Sequence, residues 1–102
     1  MRMIHAVLAP EYLSAVTARL AENEIFRMTV SEVHGVSDTA GVAFSEVSPE
    51  PMVRIEVGVN EDFVERAISA IEAGGGSRGR IFTFPLRDVI RIRTGESGPE
   101  AI

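Results

Sequence analysis

Two arginine clusters and one glycine run carry most of the chemistry in this sequence. From Gly74 to Arg80 the chain reads Gly-Gly-Gly-Ser-Arg-Gly-Arg. Consecutive glycines let backbone N–H groups come close to a ligand, and guanidinium groups present forked donors that match phosphate or carboxylate oxygens. The run lacks the Walker spacing and follows a helical pattern whose C-terminal dipole repels anions, so arginines and loop amides would have to hold an anion here. A flexible connector with a glycine helix cap explains the same residues. The second cluster is Arg91-Ile92-Arg93-Thr94-Gly95-Glu96. Alternation predicts both guanidinium groups on one side of an extended chain, converging on one anion. An edge strand guarded by charge is the competing explanation.

Other chemistries find little support. The chain has no cysteine, which excludes disulfides, thiol nucleophiles and Cys-type zinc sites. His5 and His34 are the only histidines, and His5 falls in a strand pattern, as a packed or interfacial residue rather than a metal ligand. Glu61, Asp62 and Glu65 read as helix N-terminal charges and a solvated face. Ser37, Thr39, Ser45 and Ser48 are loop hydroxyls within reach of a kinase, though loops are rich in such residues. No set of nucleophile, base and orienting group is visible, so an enzyme is not expected. The net charge of −5 argues against a nucleic-acid partner.

The elements that position these clusters follow from periodicity. A chain of 102 residues with 45% hydrophobic and 25% charged residues is predicted to be a single domain, 1–102. Its apolar start is too short and too interrupted for a signal peptide or a membrane span, so a cytoplasmic protein without membrane insertion is expected. Met3–Leu8 reads as a strand and Pro10 as the opening of a helix over Glu11–Glu22, with Leu13, Val16 and Leu20 inward. Phe26–Val33 alternates as a second strand. His34–Pro51 holds no sustained period and is predicted to be a loop or open hairpin, mobile without ligand. Val53, Ile55, Val57 and Val59 mark the clearest strand. Asn60 then caps a helix ending at Gly74–Gly76. Ile81–Leu86 is the fourth strand, Asp88–Arg93 a short extended piece, and the tail polar. Strand, helix, strand, strand, helix, strand is the α+β ferredoxin-like βαββαβ order: a four-stranded antiparallel sheet with both helices on one face. Met3, Phe26 and Met28 are expected near the other face, buried against further copies.

With the elements in place, the C-terminal sequence Gly79-Arg80-Ile81-Phe82, Arg91-Ile92-Arg93-Thr94-Gly95-Glu96 and Ala101-Ile102 resembles the signature of PII signal-transduction proteins. Met1–Leu8, Pro10, Leu13, Val16, Leu20, Ile25, Met28–Val33 and Gly35 agree with the same family. The resemblance implies a homotrimer with nucleotide sites in its intersubunit clefts. The base would lie near the second and third strands, beside Thr29, Gly35, Val36 and Ser37. The phosphates would lie against the glycine-rich loop 74–80 of one subunit, through Gly75, Gly76, Gly79 and Arg80, and the C-terminal segment 91–102 of the next, through Arg91 and Arg93. The signalling loop, 36–50, would dock on a target protein such as a transporter or enzyme.

Departures from the family pattern shape the expected ligand. Ala9, Met52 and Ala73-Gly74-Gly75 replace positions where the family carries lysine or a threonine-glycine-lysine opening. Thr39 stands where a glutamine helps organise magnesium and 2-oxoglutarate, and the loop is shorter by several residues. Each lost lysine removes a cation from the distal phosphates, so ADP or AMP is expected in preference to ATP, as an effector and not an obligatory cofactor. Divergent relatives of this kind imply a link to bicarbonate or carbon metabolism. A trimeric metal-binding or structural module of the copper-tolerance type shares the fold and is the alternative.

Overall fold

A computed structural model describes residues 1–36 and 48–102. Ser37, Thr39 and most of the predicted loop 36–50 lie outside the described residues. Strand β1 runs Arg2–Leu8. A 3-10 turn at Pro10–Tyr12, with proline at its start, leads into helix α1, Leu13–Glu22. Strands β2, Thr29–Gly35, and β3, Glu50–Val59, follow. A second 3-10 turn, Glu61–Phe63, leads into helix α2, Val64–Gly74. Strand β4 is Arg80–Pro85. The sheet order is β2-β3-β1-β4 with every pair antiparallel, the ferredoxin-like arrangement expected from the sequence.

One face of the sheet and both helices share a core. Ile4 and Leu8 of β1 and Ile55 and Val57 of β3 meet Val16 and Leu20 of α1 and Ala67 and Ile71 of α2, all buried. Burying each large aliphatic side chain contributes about 1.5–3 kcal/mol, so these few positions dominate the packing term. The opposite face carries Met3, His5 and Val7 in register with Phe84, Phe82 and Arg80. Phe82 and Phe84 keep 51% and 41% of their surface exposed there, an apolar face without a cover in the single chain.

Two element readings need correction, the start of the second strand and the extended piece Asp88–Arg93. Helix α1 ends in a tight reversal, with Ile25 N–H donating to Leu20 C=O at 3.0 Å and Glu24 at φ 64°. This reversal delays the second strand to Thr29. Phe26 therefore precedes it at 73% exposure, and Met28 packs against the helix-side core instead of the opposite face. The region read as a loop or open hairpin from His34 to Pro51 is hairpin ladder at both ends: Gly35 pairs with Glu50, and His34 with Pro51. Proline is tolerated because β1 stops pairing at Val53, so β3 there has a partner on one side only.

The extended piece Asp88–Arg93 is a closed turn. Arg91 N–H donates to Glu96 C=O at 2.9 Å, Gly95 N–H to Arg91 C=O at 2.8 Å, and Ile90 bridges Ser97. Gly95 at φ 73° supplies the left-handed residue that closes it. Asp88 holds the base of this turn, accepting from the N–H groups of Val89 and Gly98 at 2.9 Å each.

Candidate functional site

The strand registers sort most of the candidate residues toward the two ends of the sheet and leave Thr29 between them. One end holds Leu8, Val53, Gly35 and Arg80; the other holds Arg2, Val59 and Pro85. Gly35 and Val36 therefore belong with the glycine-rich loop. Thr29, six residues earlier on β2 and about 20 Å away at the usual strand rise, pairs with Glu56 and so lies level with His5 and Phe82 in the middle of the sheet. Arg91 and Arg93 follow β4, whose own length puts about 17 Å between Arg80 and Pro85. In one protomer these arginines do not meet.

At the first end, most of the glycines have packing reasons of their own. A Cβ on Gly74 would stand 3.0 Å from the backbone of Ala15 and Val16, where α2 crosses α1. Gly75 is the C-cap of α2. Gly76 sits at φ 74°, and a Cβ there would lie 2.6 Å from the Tyr12 ring. Gly79 rides over β1, where a Cβ would be 3.0 Å from Val7 O. The loop is thus pinned at Gly76 and Gly79. Together with Val7 and Ile71, the residues Gly75, Gly76, Gly79 and Arg80 border a recess of about 80 Å³. Arg80 is exposed at the start of β4, and Arg78 reaches Glu50 Oε2 at 3.7 Å. Arg80 is the one guanidinium lining the recess, beside the carboxylate of Glu72, and Arg78 stands outside that lining.

At the second end, Arg91 turns back on its own chain. Its Nε donates to Ala101 C=O at 3.3 Å and its Nη2 to Ile102 C=O at 3.2 Å. Arg93 is exposed on the turn, and the turn itself undoes the strand-like alternation expected for the pair. Ile102 also borders an open cleft of about 310 Å³, with Phe26, Arg27, Gly58 and Phe63. Asn60 ties the tail to this end by donating to Pro99 C=O at 3.1 Å. Glu24 lines the same cleft, so an exposed aromatic ring stands there with one arginine and one carboxylate.

The cleft was not visible in the sequence, because alternation placed Phe26 within a strand. Glu50 was also missed, since Pro49-Glu50-Pro51 reads as loop. On the uncovered face, His5 Nε2 lies 3.8 Å from Glu56 Oε2, and its ring meets Phe84 edge-on at 5.1 Å. Arg54 Nε is 3.1 Å from Glu56 Oε1 but off the hydrogen-bond direction. Among the described residues, no three His, Cys, Asp or Glu side chains gather as a metal site requires. None of the described helices is long and apolar enough to cross a membrane.

A family model described as nitrogen regulatory protein P-II matches residues 1–96. The chain belongs to the P-II family. Among its relatives is the nitrogen regulatory protein GlnK1 of Methanosarcina mazei, 40% identical over 114 residues, covering 100% of this chain and 97% of that protein. The nitrogen regulatory protein P-II of Bradyrhizobium diazoefficiens is 38% identical over 112 residues, covering 100% of both. That match spans 112 positions against the 102 residues of this P-II chain, so about ten positions of the relative face a gap here.

Proposed function

We propose that this P-II protein is a nucleotide-responsive regulator without catalytic activity, working as a cytoplasmic homotrimer. ADP or AMP binds in each cleft between subunits in preference to ATP. The occupied state is reported through segment 36–50 to a partner protein such as a transporter or enzyme, with bicarbonate handling the first pathway to examine.

The division of the candidate residues between two ends of one sheet carries this reading. Arg91 and Arg93, beyond one end, form one half-site; Gly35, Val36, Gly75, Gly76, Gly79 and Arg80 form the other, and Thr29 lies at mid-sheet between them. Each half alone is a partial cradle, and a second copy supplies what the first lacks. The apolar sheet face around Phe82, Phe84 and Met3 gives that copy a reason to stay. The family's role as a nitrogen regulator supports the signalling part. The gap of about ten positions relative to the Bradyrhizobium protein fits a shortened signalling segment.

Calorimetry of ADP, AMP and ATP with the full chain tests the assignment, using Arg80→Ala and Arg93→Ala. Arg93 is preferred to Arg91 because Arg91 also holds the backbone of Ala101 and Ile102. Each substitution removes one charge-assisted contact, about 1.5–3 kcal/mol, and lowers ADP affinity roughly ten- to a hundredfold. Wild-type affinity in either variant, or a monomer by light scattering, refutes the intersubunit site.

A further inference from the structure

One contact joins the glycine-rich loop to the root of segment 36–50. Arg78 Nη2 lies 3.7 Å from Glu50 Oε2. Glu50 is the first residue of β3 and pairs with Gly35, the last residue of β2, so this pair closes the β2–β3 ladder. Arg78 sits between the two pinned points of the loop, Gly76 against Tyr12 and Gly79 against β1. Its backbone is held while its guanidinium is free to choose a partner. Both members are well exposed, at 74% and 59% of their side-chain surface, so the pair is weak and easily exchanged.

We propose that Arg78 is a switchable anion ligand. Glu50 occupies it in the empty protein, and a nucleotide phosphate displaces Glu50 when the cleft fills. This rests on the nucleotide reading above and adds to it a residue and a route of coupling. A diphosphate offers several acceptor oxygens and more than one negative charge, whereas Glu50 offers a single carboxylate; the guanidinium fork favours the diphosphate. Filling the cleft therefore frees the carboxylate at the base of segment 36–50. The ligand's charge at the loop becomes a change of ion pairing at the segment that meets the partner. Arg78 thereby returns one cation to a loop whose opening lacks the expected lysine.

Four full-length proteins suffice for the test: wild type, Glu50→Gln, Arg78→Gln and the double variant. Each is titrated with ADP by calorimetry at one fixed salt concentration, after its thermal midpoint confirms folding. Glu50→Gln removes the internal competitor and raises ADP affinity about two- to fivefold, the range of an exposed ion pair. Arg78→Gln lowers affinity about three- to tenfold. In the Arg78→Gln background, Glu50→Gln changes nothing. If Glu50→Gln binds ADP like wild type, or its gain persists without Arg78, the switch is wrong while the nucleotide site stands. If wild type binds no adenine nucleotide, the site and the switch fall together.

Discussion

Gly76→Ala tests whether the glycine-rich loop owes its shape to packing alone. Gly76 sits at φ 74°, where an L-residue loses about 1–2 kcal/mol to contact between Cβ and the backbone. The added methyl would also lie 2.6–2.7 Å from two ring carbons of Tyr12, well inside van der Waals contact. Tyr12 is half-buried against the core, so turning its ring away loses part of that packing, another ~0.5–1 kcal/mol. The sum is about 2 kcal/mol, which lowers the thermal midpoint of a domain this size by roughly 8–16 °C. Scans at one fixed protein concentration measure it, because an oligomer's midpoint depends on concentration. Tyr12→Ala separates the two terms. In that background Gly76→Ala costs only the backbone part, about 1–2 kcal/mol. A Gly76→Ala protein as stable as wild type refutes the argument, as does a cost unchanged by removing the ring.

Glu24→Gly relieves a left-handed residue at the end of α1, and should raise stability by about 0.5–1 kcal/mol in denaturant unfolding. Phe84→Glu places a charge on the uncovered sheet face. If the proposed trimer forms through this face, light scattering should find monomers at concentrations where wild type associates, with the circular dichroism of a folded domain. Addition of 2-oxoglutarate with ATP and magnesium should leave the calorimetric signal of nucleotide binding unchanged. Thr39 has no amide oxygen for the metal and Met52 no charge for the ligand; tight 2-oxoglutarate binding would overturn this.

The strand Val53–Val59 and the helix ending at Gly74 were legible because each has one wet and one dry side, so a single period describes it. The fold order followed from those and four weaker elements. Phe26 and Met28 misled for a physical reason. Alternation of residue types cannot show that the chain reverses at Glu24, and a shift in where a strand begins changes which residues join the sheet. Arg91 and Arg93 misled similarly: four alternating residues fit a strand, yet Gly95 and the carboxylate of Asp88 close a turn around them. The glycine run was legible as unusual, but its meaning was not. The neighbours that demand glycine, Ala15, Tyr12 and Val7, are distant in sequence and meet only in the fold.

The placement of Arg80 at one end of the sheet and Arg93 beyond the other has a genetic consequence. A cleft built head to tail takes its two arginines from different polypeptides. Two defective alleles, one lacking Arg80 and one lacking Arg93, would then be able to rescue each other inside one cell. In randomly mixed rings from equal amounts of both, about a quarter of the clefts draw an intact head from one allele and an intact tail from the other. A cleft contained within one polypeptide would show no such complementation, since every chain would carry one lesion or the other.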